Sequence, residues 1–135
     1  MSDLAQTVAS LACLAKHEEL ELAILFGSCA RGRAHRDSDL DIAVFPRNPL
    51  NSAALQSLSD ELAMVSGRPI DIVDLSYTNG TLLRQILLYG KVLFSKRPAI
   101  LGYLNERLLD WQADFEPAQR AIVTAQRNRF LAHGS

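Results

Sequence analysis

A protein that engages nucleic acid through its overall field carries an excess of Lys and Arg, and this chain has none. Its 14 basic residues stand against 15 acidic ones, for a formal net charge of −1. The missing basic field counts against DNA or RNA as a direct substrate. Long apolar runs and a signal-peptide pattern are missing as well, so the expectation is a soluble, cytoplasmic protein with no membrane contact. Cysteine is scarce: Cys13 and Cys29 provide neither a disulfide framework nor zinc-ligand spacing. His17, His35 and His133 are isolated and show no ligand spacing either. At 135 residues the chain can bury a real core but is too short for two full domains.

What is present is a dense motif: Gly27-Ser28, ten intervening residues, then Asp39-Leu40-Asp41. Residues 21–26 are mostly apolar and read as a strand buried on both faces. Gly27 marks a sharp turn or a close backbone approach, and Ser28 is a natural N-cap for a short helix over residues 28–34. Such a junction points free N–H groups outward, which suits phosphate oxygens. Alone it is an ordinary turn and cap.

The next strand changes the reading. Leu40, Ile42 and Val44 form the alternate, core-facing set, so Asp39 and Asp41 share the other face. Their Cα atoms are then about 6.6 Å apart, from a rise of about 3.3 Å per residue. That spacing lets two carboxylates converge on a pair of Mg²⁺ ions about 3.5–4 Å apart. An isolated Asp-x-Asp is a pair of solvated charges. Joined to the upstream Gly-Ser, it becomes a site.

A third carboxylate is expected from the strand around residues 68–75, where Asp71 and Asp74 fall on opposite faces and at most one can join. Arg31, Arg33 and Arg36 lie between turn and acids, placed either for bidentate phosphate recognition or merely to balance the Asp cluster. Ser38 suits a local hydrogen bond at the start of the strand. Cys29 would sit in the first turn after Gly27-Ser28, where a thiol's pKa can fall, though nothing makes it a nucleophile.

The stretches LFGSCARGR (25–33) and DSDLDIAV (37–44) resemble the signature of the DNA polymerase β-type nucleotidyltransferases. More narrowly, they are similar to the minimal bacterial branch, the MNT-domain proteins often paired with a helical HEPN partner. The resemblance implies transfer of a nucleoside monophosphate to a hydroxyl, with ATP as donor and two Mg²⁺ ions. It implies Asp39 and Asp41 as catalytic metal ligands, Gly27 and Ser28 as nucleotide-binding residues, and Arg31 and Arg33 beside them. It also selects Asp71 as the third acid and acceptor-side ligand, leaving Asp74 as a turn or cap residue before Ser76.

Coarse elements alternate as α-β-α-β-α-β-α-β. Leu4, Val8, Leu11 and Ala15 form a first helical stripe. Asn51 or Ser52 caps a helix facing Leu55, Leu58, Leu62 and Val65 inward, ended by Gly67 and Pro69. A helix with Leu82, Leu83, Ile86 and Leu87 stops at Gly90, and residues 91–95 form the last strand. The resemblance covers residues 1–97 and implies an α/β (α+β) fold, a mixed twisted sheet backed by helices. Residues 98–135 read as a helical extension, with Leu101, Leu104, Leu108, Trp111 and Phe115 at helical intervals before Pro117. This stripe packs on the sheet or faces a partner.

There is no room for the helical domain with which larger nucleotidyltransferases hold base or acceptor. A partner or a second copy is therefore expected to complete the site. Minimal proteins of this branch act as antitoxins that adenylylate a tyrosine of their HEPN ribonuclease toxin, which makes that the leading expectation. Two alternatives stay open: a two-subunit transferase acting on a small molecule such as an aminoglycoside, and neutralisation by binding alone.

Overall fold

The computed structural model describes residues 3–30 and 39–114. The expectations for Arg31, Arg33, Arg36, Ser38 and the segment from Phe115 onward lie outside the described residues. In order, the elements are α1 (Asp3–Leu11), a 3-10 turn (Ala12–Lys16), β1 (Leu20–Phe26), α2 (Gly27–Ala30), β2 (Leu40–Pro46), α3 (Ser52–Ser66), β3 (Ile70–Asp74), α4 (Gly80–Tyr89) and β4 (Lys91–Ser95). A further helix, α5, occupies residues 98–114 of the described chain. The strands make one mixed sheet in the order β3-β2-β1-β4. β2 and β3 run parallel, joined by the α3 crossover that parallel pairing requires, while β1 is antiparallel to both of its neighbours.

All seven residues of β1 are buried, because helices cover both faces of the sheet. On one face Ala23, Leu25 and Ile42 pack with Leu11, Leu14, Leu58 and Leu62 of the α1–α3 side. On the other, Leu22, Ile24 and Ala43 pack with Leu83 and Ile86 of α4 and with Ile100, Leu104 and Leu108 of α5. Each such Leu or Ile contributes about 1.5–3 kcal/mol of burial, so the central strands carry most of the packing energy of the described core. Glu21 interrupts the apolar run at the β1 irregularity between Leu20 and Leu22, where its carboxylate accepts from Arg47 Nε at 2.7 Å.

Several helical expectations shift by a residue or a face. The first stripe does not run on to Ala15. The chain tightens to a 3-10 turn, in which residues three apart eclipse, so Leu14 takes the buried place after Leu11 and Ala15 is exposed. Asn51 is the cap of α3: its side-chain oxygen accepts from Ala54 N at 2.8 Å, and Gly67 N closes the other end on Ala63 O at 2.9 Å. Val65, expected inside, is 47% exposed because α3 has run past the end of the sheet face that Leu58 and Leu62 cover. Leu82 is also exposed in part, at 40%, and Leu83 and Ile86 carry the packing of α4. Among the described residues no helix is long and apolar enough to cross a membrane.

Candidate active site

Strand parity decides which carboxylates meet. Asp41, the second residue of β2, lies opposite Phe26 of β1 on one side and Asp71 of β3 on the other. In-register residues on neighbouring strands share a face, with strand axes about 4.8 Å apart. Asp71 therefore stands beside Asp41, on the face that also carries Ala43 and Val73. Asp39 precedes the strand by one residue and is exposed. The Asp41 carboxyl is pushed above its usual range, by burial first and then by the charges of Asp71 and Asp39. Such a group stabilises an arriving cation, which relieves the repulsion among the three acids.

Gly27 brings the turn onto this cluster. Its φ is +75°, a left-handed conformation that makes the sharp bend out of β1. A Cβ built there would overlap Asp41 Oδ2 and stand 3.0 Å from Asp41 Cγ. Backbone and carboxylate thus touch with no side chain between them. The bend also corrects the expected cap. The helical turn begins at Gly27, one residue early, so exposed Ser28 sits within it and not before it.

Asp74 takes no part in the cluster. It is buried on the opposite face, where Oδ2 accepts from Leu50 N at 3.0 Å and Oδ1 from Ser76 N at 2.8 Å. Its own carbonyl accepts from Thr78 Oγ1 at 2.9 Å. Both carboxylate oxygens are used to fold the chain around the end of β3.

Among the described residues no three carboxylate, imidazole or thiol groups close on one point as a complete metal shell. The donor set nevertheless fits Mg²⁺. That ion takes hard oxygens, keeps several waters, and is commonly held by one or two carboxylates together with substrate phosphates.

One part of the neighbourhood has no signal in the sequence. A groove of about 320 Å³ runs beside Asp71, walled by Ser52, Gln56 and Ser59 of α3 and by Ile70 and Ile72 of β3. Small polar residues on a helix read as a solvent face, and no periodicity distinguishes a groove wall from one. Arg107 of α5 was also invisible as a brace. Its Nη1 donates to Leu75 O at 2.8 Å and Nη2 to Thr78 O and Asn79 Oδ1, pinning the turn that follows β3.

A glycine turn seated on a carboxylate, with a second acid in register on the next strand of a mixed sheet, is the framework of a nucleotidyltransferase domain. Residues 11–99 match the polymerase β nucleotidyltransferase family, and the chain belongs to it. Within that family it is 38% identical over 76 residues to the protein adenylyltransferase MntA of Shewanella oneidensis, covering 56% of this chain and 55% of that protein. It is 30% identical over 110 residues to the protein adenylyltransferase MntA of Aphanizomenon flos-aquae, covering 74% and 73%. The first alignment thus spans little more than half of that relative's length. A crystal structure of a toxin–antitoxin complex with AMP-PNP holds a chain similar to this one, with a TM-score of 0.73 and 25% identity over 90% of this chain and 98% of that one.

Proposed function

We propose that the chain is a Mg²⁺-dependent protein adenylyltransferase. It moves AMP from ATP onto a tyrosine hydroxyl of a HEPN-type toxin and so serves as the antitoxin of that pair in the cytoplasm. The observation that carries this reading is the seating of Gly27 on Asp41, with Asp71 in register on the far side. Turn and acids form one site, in a chain whose relatives bear the name adenylyltransferase.

Gly27 and Ser28 hold the β- and γ-phosphates through their backbone N–H groups, and Arg31 and Arg33 pair with triphosphate oxygens. Asp39, Asp41 and Asp71 would hold two Mg²⁺ ions, which would supply charge neutralisation at the phosphates. The acceptor oxygen forms its bond to the α-phosphorus as the bond to the pyrophosphate oxygen breaks. Asp71 takes the proton released by the acceptor hydroxyl. Positioning and electrostatic stabilisation account for most of the rate in transfers of this class.

The test is the intact mass of the co-purified partner after incubation with Mg²⁺ and each nucleoside triphosphate. Wild type runs beside the Asp39→Asn/Asp41→Asn double variant. An AMP increment on the partner, with wild type alone, is the expected result. A stably bound partner of unchanged mass would shift the reading to a small-molecule acceptor or to neutralisation by binding.

A further inference from the structure

The sheet has a direction across it as well as along it. From β1 to β3 the order is Gly27, Asp41, Asp71 and then, among the described residues, the outer edge of β3. On the reading above, the triphosphate lies on the Gly27 side, so pyrophosphate leaves that way. In-line displacement requires the attacking oxygen to arrive from the opposite side. That side is the β3 edge.

The backbone of β3 is set for it. Leu40 N donates to Pro69 O at 2.9 Å and Leu75 N donates to Val44 O at 2.8 Å, so the odd-numbered residues of this segment turn their polar groups toward β2. Alternation turns those of Ile70 and Ile72 outward. Ser59 Oγ already donates to Ile70 O from that side, at 3.1 Å. The next outward rung, Ile72, opens on the groove between β3 and α3.

We propose that this edge and groove form the acceptor subsite, taking an extended polypeptide segment that pairs with the Ile72 backbone as an added strand. This rests on the adenylyltransferase reading and goes beyond it in saying where the acceptor chain lies. Side chains of an added strand alternate. Those on one face enter the groove against Ser52 and Gln56. The one in register with Asp71 shares its face and brings a hydroxyl beside its carboxylate. Gln56 is preorganised as a wall, because its Nε2 donates to Asp60 Oδ1 at 2.8 Å.

The experiment uses the full chain with the co-purified partner of the mass measurement. Gln56→Trp fills the groove from an exposed helix position. Its kcat/KM for the partner is expected to fall about tenfold or more, with KM for ATP unchanged. Ile72→Pro removes an outward N–H while sparing the bonds to β2, which an edge strand tolerates, and it should do the same. Because Ile72 also packs, a direct readout accompanies it: hydrogen exchange at the Ile72 amide of the unmodified chain is expected to slow when the partner is added without nucleotide. Transfer by wild type that Gln56→Trp leaves intact, or an Ile72 amide that stays unprotected in the complex, overturns the subsite and leaves the adenylyltransferase reading standing. Absence of transfer by wild type overturns both.

Discussion

At Gly27, conformation and contact make the same demand. A side chain there would need the left-handed region, which costs an L-residue about 1–2 kcal/mol, and its Cβ would displace the Asp41 carboxylate. Gly27→Ala is therefore expected to fold with a modestly lower melting temperature. Its transfer rate should fall about 100-fold, the scale on which small misplacements act. Parallel melting curves and partner-mass kinetics check this. A variant with full activity would mean that the turn can withdraw from Asp41. The residue scale is also where the sequence was most legible. Gly-Ser and Asp-x-Asp are short, local and rich in chemistry, so residues 27, 28, 39 and 41 stood out without any knowledge of packing. Asp71 needed the family resemblance to separate it from Asp74, because register is a property of two strands and only one can be read at a time.

Elements separate those two acids sharply. Asp74 accepts from two backbone N–H groups at the end of β3, whereas Asp71 is exposed at the edge. Asp74→Ala strands both donors, at about 1–3 kcal/mol each, and should lower the urea midpoint markedly. Asp71→Ala should leave the midpoint nearly unchanged while abolishing transfer. Denaturation and activity measured on the same two preparations test the contrast, and equal destabilisation would show that Asp71 also holds the fold. The same scale explains the misplaced stripes. Periodicity announces a helix but not how far the sheet extends beneath it, which is why Val65 lies outside the core, nor which of two adjacent leucines faces inward, which is why Leu83 is buried and Leu82 is not. Nor does it announce a change of pitch, which is why Leu14 replaced Ala15.

For the molecule as a whole, the site is a net liability until it is filled. Asp41 has its carboxyl raised above the ordinary value of 3.8. An acid raised on folding contributes stability that is complete below that ordinary value and is lost as pH climbs through the folded one. Metal-free wild type should therefore lose denaturant resistance over that rise, relative to Asp41→Asn. Near neutral pH, Mg²⁺ with ATP should raise the melting temperature of wild type and leave the Asp39→Asn/Asp41→Asn variant unmoved, since a ligand stabilises only the state that binds it. Equal shifts in both proteins would place the metal elsewhere. The balanced charge of the chain fits a site whose field is local, confined to the acids.

The in-register pairing of β2 with β3 works as a parity check. Ile70 and Ile72 must point to the α3 side for the core to close, and that alone forces Asp71 onto the face of Asp41. A slip of one residue would turn every side chain of the strand over, exposing two isoleucines as it removed the acid. The error that silences the chemistry is thus the one the fold itself rejects. The five residues of β3 cannot change in number without loss of the packed apolar face together with the acid.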